Sequence, residues 1–273
     1  MLPLEVLERI IDHVAKYDCN PYAKTYSIKA CALTCHSFLP LCRKHIFASV
    51  ILNARLASGY RICPTSDDLN HLLSNSPHLA VYIRKLDYHF NENEFVTRRV
   101  LWLLPMFKSL VRLQKLSISY SPSVRGMKLD WMSSSGRKIL LPLLHCPTLT
   151  SISLSTIQNF ALADLAGCVN LKKMKIQSLE CSNGVGKFME PLPATPAMLE
   201  RLTINEGSTR LVQQLCDARR PDGKPIIDLC SLKEITARIE RLDSISELFG
   251  MCRSLHKIDL TSMSLPSLIS SSI

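Results

Sequence analysis

A short apolar pattern that returns along most of this chain restricts its fold more than any other feature of the sequence. In each copy, one apolar residue is followed three and five positions later by two more. The seven copies begin 22 to 36 residues apart. They are Ile83/Leu86/Tyr88, Leu113/Leu116/Ile118, Leu149/Ile152/Leu154, Leu171/Met174/Ile176, Leu199/Leu202/Ile204, Leu232/Ile235/Ala237 and Leu255/Ile258/Leu260. Such a period indicates a row of stacked units, each packed mainly against its neighbours.

The spacing inside each copy favours a β-strand. The second and third apolar residues are two positions apart, so they point to the same side of a strand. Helix-like stretches precede most copies, as in residues 140–147, 161–168 and 245–252. One strand and one helix per unit is typical of a leucine-rich repeat, and no such unit can bury its apolar face alone. We therefore predict an α/β solenoid of seven irregular leucine-rich repeats over residues 79–273.

The repeat diverges from a regular one. Leucine-rich units usually carry Asn or Cys three positions after the third apolar residue. Here only the first copy has such a residue, Asn91. The chain also ends at Ile273, soon after the seventh copy. We therefore expect no asparagine ladder, and we expect that the C-terminal capping unit is missing.

Three short helices are predicted before the repeats. The first is indicated by apolar residues at helical spacing, namely Val6, Leu7, Ile10, Ile11 and Val14. Similar patterns predict a second helix near residues 28–38 and a third over residues 41–47. Three short helices bury little area alone, so we expect them to dock on another part of the chain. The expected domains are a helical module at 1–50, a connecting helical segment at 51–78 and the repeats at 79–273.

Two segments of the helical module are similar to a known motif. The first is LPLEVLERII at residues 2–11, and the second is ALTCHSF at residues 32–38, followed by RKHIF at residues 43–47. Together they resemble an F-box, as in the F-box-like proteins abundant in mushroom-forming fungi. In that family the motif binds the Skp-type adaptor of a cullin ubiquitin ligase, and divergent leucine-rich repeats follow it.

The resemblance implies both a set of contacts and a function. The side chains implied to contact the adaptor are Leu2, Pro3, Leu7, Ile10, Leu33 and Cys35, with Phe38 where the family often has tryptophan. The chain would be the substrate-recognition subunit of a Skp–cullin–F-box ubiquitin ligase. An alternative is that residues such as Phe38 only pack the helices onto the repeats. The chain would then be a repeat scaffold that binds proteins without any ligase.

A basic row is predicted on the strands. The residue before the second apolar position of each copy is basic in five of seven copies, namely Lys85, Lys115, Lys173, Arg201 and Lys257; the other two are Ser151 and Glu234. Lys175 adds a further charge beside Lys173. Neighbouring strands lie about 4.8 Å apart, so these side chains would form a ladder. We predict that it docks an acidic or phosphorylated protein segment, with Arg201 clamping an anion through two hydrogen bonds. The alternative is a basic, solvated strand face without a ligand.

The cysteines are interpreted as packing residues. The count of eleven is odd, and no two cysteines are spaced as Cys-x-x-Cys. Cys146, Cys168, Cys230 and Cys252 recur at one place in the units and are predicted to be free, buried thiols. The spacing of Cys31, Cys35, Cys42 and His45 is compatible with zinc, but their helix faces are also needed for packing. We therefore expect no metal and no cofactor.

Several functional classes receive no support from the sequence. No nucleophile, base and acid occur at a diagnostic spacing, so we do not expect an enzyme. The net charge of +10 suits an acidic partner, but the aromatic residues do not interleave with the basic ones, so we do not expect nucleic acid. No apolar run approaches the roughly 20 residues of a membrane span, and no secretory signal opens the chain. We expect an intracellular protein of the cytoplasm, the nucleus or both.

Overall fold

The chain forms an α/β fold built on a mostly parallel sheet. The computed structural model describes residues 3–17, 21–53, 63–90, 103–120, 128–132, 135–182, 186–188, 191–205, 209–239 and 248–262. The α-helices are α1 Leu4–Tyr17, α2 Pro21–Thr34, α3 Phe38–Ile46, α4 Ser66–Asn75, α5 Leu103–Lys108, α6 Ser135–Leu144 and α7 Thr209–Asp217. Two 3-10 helices span Pro77–Tyr82 and Leu162–Gly167. Among the described residues, none of the helices is long and apolar enough to cross a membrane.

The strands follow one another across the sheet in chain order. They are β1 Ser49–Leu52, β2 Lys85–Phe90, β3 Lys115–Tyr120, β4 Leu129–Asp130, β5 Ser151–Phe160, β6 Lys173–Cys181, β7 Ala197–Met198, β8 Arg201–Ile204, β9 Ile227–Asp228, β10 Glu234–Ile239 and β11 Lys257–Ser262. The main sheet has the order β1-β2-β3-β5-β6-β8-β10-β11, with β4 beside β5. Strands β7 and β9 form a separate parallel pair.

All seven apolar triplets end in a strand of the main sheet, as the spacing predicted. Their second residues are direct neighbours across the sheet, in the order Leu86, Leu116, Ile152, Met174, Leu202, Ile235 and Ile258. The first six are at most 2% exposed and form one continuous apolar layer. Ile258 on the last strand is 52% exposed. The predicted Asn91 position and the chain end at 263–273 lie outside the described residues.

Strand β1 was not predicted. Val50 and Leu52 pair with Leu86 and Tyr88 of β2, so the sheet begins one strand before the first predicted copy. Phe47 precedes them at the same spacing as in the other triplets. The expected connecting helical segment at 51–78 is therefore corrected: its first two residues belong to β1, and its α-helix is Ser66–Asn75. That helix begins with a capping box between Thr65 and Asp68.

One backbone carbonyl in each unit accepts two N–H donors from the next unit. The oxygen of Ala48 accepts from Arg84 and Lys85 at 3.0 and 2.9 Å. The same arrangement repeats at every later step of the sheet, with the carbonyls of Arg84, Gln114, Thr150, Lys172, Glu200 and Lys233 as acceptors. Because each carbonyl bonds to the N–H groups of two consecutive residues, this bond pattern fixes the starting residue of each strand against the strand before it.

Cysteine and threonine side chains add bonds between units. The Cys146 thiol donates to the carbonyl of Leu110, and the Thr148 hydroxyl donates to that of Leu113. Cys168 donates to Leu144 at 3.2 Å, and burial raises the pKa of its thiol to about 12. The prediction of free, buried thiols is confirmed for Cys146 and Cys168, whereas Cys230 and Cys252 are free but only partly buried.

A buried carboxylate joins three segments in the middle of the chain. Asp164, 1% exposed, lies in the 3-10 helix Leu162–Gly167. Its two oxygens accept from Nε and Nη2 of Arg137 on α6, and one also accepts from the indole N–H of Trp131, each at 2.8 Å. The ring of His145 lies against the Asp164 carbonyl, 2.8 Å away. These hydrogen bonds offset the free-energy cost of removing the Asp164 carboxylate from water.

We predict that Asp164→Ala lowers the free energy of unfolding by about 3 kcal/mol, because it leaves a partly buried Arg137 and a buried indole N–H without their acceptor. The measurement is urea denaturation followed by circular dichroism. Asp67→Asn, at an exposed position of α4, is the control and should change stability by no more than about 0.5 kcal/mol. Equal effects of both variants would contradict the structural role of Asp164.

Candidate protein-binding surfaces

The open face of the sheet carries the predicted basic row. On each strand the buried residues alternate with residues that point away from the core. The first such positions are direct neighbours across the sheet, in the order Lys85, Lys115, Ser151, Lys173, Arg201, Glu234 and Lys257. Lys175 lies in the second row, between Ser153 and Thr203. The structure therefore brings all six predicted partner-binding residues onto one face.

Two of the six basic side chains are already paired on this face. Arg201 holds Glu234 of the next strand through Nε at 2.6 Å and Nη2 at 3.0 Å. The clamp predicted for Arg201 thus exists, but its partner is a neighbouring carboxylate rather than an external anion. Lys85 lies 2.6 Å from Asp87 of its own strand. The basic row is therefore interrupted by carboxylates at both β2 and β8/β10.

Between these pairs lies a region without acidic side chains, which we call the central block. It comprises the first three open-face positions of β3, β5 and β6, which are Lys115, Ser117, Ser119, Ser151, Ser153, Ser155, Lys173, Lys175 and Gln177. Its three lysines are exposed, and none has an ion-pair partner among the described residues. The serines between them are half-buried, so the block has a hydroxyl-lined floor with cationic side chains around it.

A histidine borders the central block on the side of β2. His89 Nδ1 lies 2.7 Å from the hydroxyl of Ser119 on β3. Burial lowers the pKa of His89, and the nearby Asp87 opposes this effect only in part. The ring is therefore neutral at pH 7, and it adds no charge to the three lysines.

The N-terminal helices pack around a small core of their own. Its buried members are Ile11 and Ala15 of α1, Ile28 of α2 and Cys42 of α3. Phe38 packs against these residues and is half-buried, so it contacts the core of the module rather than the core of the repeats, where the packing alternative put it. The module is thus three helices around one centre, and its outer side chains are available for other contacts.

Most of the predicted adaptor-binding side chains point outward from this core. Leu33 is 88% exposed and Ile10 is 44% exposed, while Pro3 and Cys35 are also exposed. Leu7 is half-buried, and Leu2 lies outside the described residues. Leu4 and Val6 of α1 are exposed as well, at 58% and 40%. These exposed apolar side chains belong to one module of three short helices, which makes the module a candidate interaction surface.

Ion pairs and hydrogen bonds join α1 to α3. Lys44 of α3 lies 2.6 Å from Glu8 and 2.9 Å from Asp12, and His45 lies 2.8 Å from Asp12. The hydrogen bond from Lys44 is the main reason that the pKa of Asp12 is lowered, and His45 adds to the effect. This cluster was not predicted, because its members are separated by more than thirty residues in the chain.

The alternative zinc site receives no geometric support. Cys42 is fully buried, Cys35 is exposed, and His45 is bonded to Asp12. Over the described ranges, no three or more His, Cys, Asp or Glu side chains are grouped as metal ligands. Hydrogen bonds from Ser37 lower the pKa of the exposed Cys35 thiol, an effect of the turn between α2 and α3.

A groove beside β1 also went unpredicted. It encloses about 750 Å³ between α2, the end of α3, β1 and α4. Apolar side chains line much of it, including Phe47, Val50, Ile51 and Leu72. The missed strand β1 forms one of its walls, and this is why the sequence pattern gave no sign of it.

No protein-family model matches this chain, and neither does any curated protein with which it was compared. The residues and their geometry alone therefore support the functional conclusions that follow.

We predict that the Asp12 cluster stabilises the chain in a pH-dependent way. Because the folded-state pKa of Asp12 is lowered, its contribution is fully present above the unfolded pKa of about 3.9 and is lost as the pH falls through the folded value. The difference in unfolding free energy between wild type and Asp12→Asn should shrink from pH 7 to pH 3. Lys44→Met should remove most of that difference at pH 7. A difference that stays constant with pH would contradict the assignment.

Proposed function

We propose that this chain is an irregular leucine-rich-repeat solenoid with an N-terminal F-box-like module, and that it is the substrate-recognition subunit of a Skp–cullin–F-box ubiquitin ligase. In this proposal the helical module, residues 2–47, binds the Skp-type adaptor and through it a cullin. The open face of the sheet binds a protein substrate. The single observation that carries the proposal is the set of exposed apolar side chains, led by Leu33, on a module that already has its own core.

The repeat part of the proposal is supported by the regularity of the sheet. Eight parallel strands follow in chain order and in register, with one apolar layer behind them. The same carbonyl accepts two N–H donors at each step from β1 to β11. Both features are what a one-dimensional stack of similar units requires. Side-chain bonds from Cys146, Thr148 and Cys168 to backbone carbonyls of the preceding unit hold the turns between units.

The adaptor part is supported by which apolar side chains the module buries. Ile11, Ile28 and Cys42 are at most 1% exposed and lie in the core of the module. Ile10 and Leu33 contribute little to that core and remain exposed, so both side chains are accessible to a partner. Their positions match those that the F-box resemblance implies for adaptor contacts. Burying such side chains in an adaptor groove would release about 1.5–3 kcal/mol each.

The proposed receptor performs no chemistry itself. It holds the substrate close to a ubiquitin-charged enzyme recruited by the cullin, so its contribution is proximity and orientation. The two surfaces belong to different parts of the chain, the helical module and the sheet. Substitutions in one should therefore leave binding at the other unchanged.

We predict that Leu33→Asp and Ile10→Asp each weaken binding to the Skp-type adaptor at least tenfold, because a carboxylate cannot be buried in an apolar groove without a partner. The measurement is calorimetric titration or pull-down with purified adaptor and the full chain. Val111→Asp is the matched control, since Val111 is 55% exposed and lies outside the module. Both module positions are exposed, so unfolding is not expected, and circular dichroism checks this.

The two accounts of the chain give different results in this experiment. The ligase account requires that the wild-type chain captures the adaptor and that Val111→Asp retains it. If the wild type captures no adaptor, the ligase assignment is wrong, and the repeat scaffold without a ligase is the function that remains.

A further inference from the structure

We propose that β1 and the groove beside it bind an extended segment of another protein, which adds to the sheet as one more parallel strand. The groove of about 750 Å³ lies between β1, α2, the end of α3 and α4. The site uses the backbone edge of the sheet rather than the basic row of the open face. The inference therefore goes beyond the proposed function and requires no ligase.

The first observation is that the carbonyl ladder is open at β1. At each of seven steps from β1 to β11, the first residue of a strand and the residue before it donate their N–H groups to one carbonyl of the preceding unit. The corresponding donors on β1 are the N–H groups of Ala48 and Ser49, since Ser49 is aligned with Lys85 of β2. Among the described residues, neither N–H has a backbone acceptor. One carbonyl from an added strand would complete the pattern.

The second observation is that the outer edge of β1 is unpaired. In the described part of the chain, β2 is the one strand that pairs with β1. The Ala48 carbonyl points to β2, and successive residues of a strand direct their backbone groups to opposite edges, so those of Ser49 and Ile51 point away from β2. The unpaired stretch ends at Asn53, whose N–H donates to the Pro64 carbonyl at 2.9 Å. Such an edge is a template for another strand.

The third observation is that the apolar layer is uncovered beside this edge. Val50 is aligned with Leu86 and belongs to the same layer. It is only half-buried, whereas the corresponding residues of the strands from β2 to β10, which have a strand on either side, are at most 2% exposed. Within the groove, Leu72 of α4 is 36% exposed, and Phe47 is half-buried. Apolar side chains of an added strand would extend the layer and bury these groups.

The edge and the layer together specify the pattern of the segment. Four residues suffice to pair with Ser49–Leu52. The second and fourth of them would point into the apolar layer, as Val50 and Leu52 do, and β-branched residues such as valine suit these positions. The first and third would point to the open face, so polar residues suit them. The segment is therefore extended, with apolar residues at alternate positions.

The charges beside the groove favour an acidic residue next to this segment. Lys29 of α2 lines the groove and is exposed, and it has no ion-pair partner among the described residues. The carboxylate of Asp68, which also lines the groove, already accepts from the backbone N–H of Thr65 at 2.8 Å. A glutamate flanking the four paired residues could therefore meet the unpaired Lys29 ammonium.

The same observations disfavour two other occupants. A small apolar molecule would fill the groove but would leave the N–H groups of Ala48 and Ser49 without an acceptor. A second copy of this chain would bring the edge of a whole folded sheet. A groove of about 750 Å³ has the size of a ligand pocket and suits a short single segment better.

The test measures fluorescence anisotropy of labelled eight-residue peptide libraries with the full chain and without adaptor. In the first library, valines occupy the second and fourth of four central positions, one flanking residue is glutamate, and the other positions are randomised among polar residues. The second library has the same composition with the two valines adjacent. We expect the first library to bind about tenfold more tightly, because only its valines share one face of a strand.

Methylation of single peptide nitrogens tests whether the segment pairs as a strand. In a parallel pair, the N–H of the second central residue faces β1 and would donate to the Ser49 carbonyl. Its methylation should weaken binding about tenfold or more. The N–H of the third central residue faces away from β1, so its methylation is the matched control and should change binding by less than about threefold.

Two measurements locate the bound peptide. With the tightest peptide of the first library at saturation, amide hydrogen exchange followed by nuclear magnetic resonance should slow about tenfold or more at Ala48, Ser49 and Ile51. Leu72→Lys places a charge in the groove wall and should weaken binding about fivefold or more. Val169→Lys is the matched control, because Val169 is 39% exposed and lies outside the groove, and it should leave binding within about twofold.

The alternatives give different results. Equal binding of the two libraries, or equal effects of the two methylations, would overturn the proposal in favour of an apolar ligand that forms no strand. A dimer in sedimentation, with slow exchange at Ser49 and Ile51 before any peptide is added, would overturn it in favour of a second copy. A chain that binds the adaptor but not the peptides loses only this inference. A chain that binds the peptides but no adaptor keeps this site and loses the ligase assignment.

Discussion

At the start of seven strands of the sheet, β2, β3, β5, β6, β8, β10 and β11, one carbonyl oxygen of the preceding unit accepts hydrogen bonds from two consecutive N–H groups. From Ala48 to Lys233 the same acceptor recurs, and each time it takes the N–H of the first strand residue and of the residue before it. This bond sets the register, and the register decides which side chains are inside. A shift by one residue would turn Leu116 and Ile152 into water and bury Lys115 and Ser151, so the apolar layer and the carbonyl ladder hold each other in place.

The arrangement of side chains on the open face follows from that register. Because the strands are parallel and aligned, residues that are 22 to 36 positions apart in the chain become neighbours about 4.8 Å apart on the open face. Pairing of Arg201 with Glu234 depends on this alignment, and so does the absence of acidic residues from the first three open-face positions of β3, β5 and β6. The helical module differs, since its exposed leucine and isoleucine are set by helix geometry around a separate core.

Much of the sheet could be predicted, because alternation within a strand leaves a clear trace in sequence. Leu86, Leu116 and Met174 are buried as expected, whereas β1 escaped notice because it has four residues and follows directly on α3. Contacts between distant residues left no such trace. The three bonds to Asp164 come from residues 27 and 33 positions away, and the Arg201 partner lies 33 positions on. The sequence therefore does not show which basic residues of the open face have an ion-pair partner. The three-dimensional structure is needed for this.

The register of the sheet is the claim on which the open face depends. Nuclear Overhauser effects between backbone protons of the deuterated, selectively labelled chain test it most directly. The account predicts cross-strand contacts of the parallel type between Leu116 and Ile152, Ile152 and Met174, and Met174 and Leu202. Sequential amide contacts typical of α-helix at these residues, or cross-strand contacts offset by one residue, would contradict it.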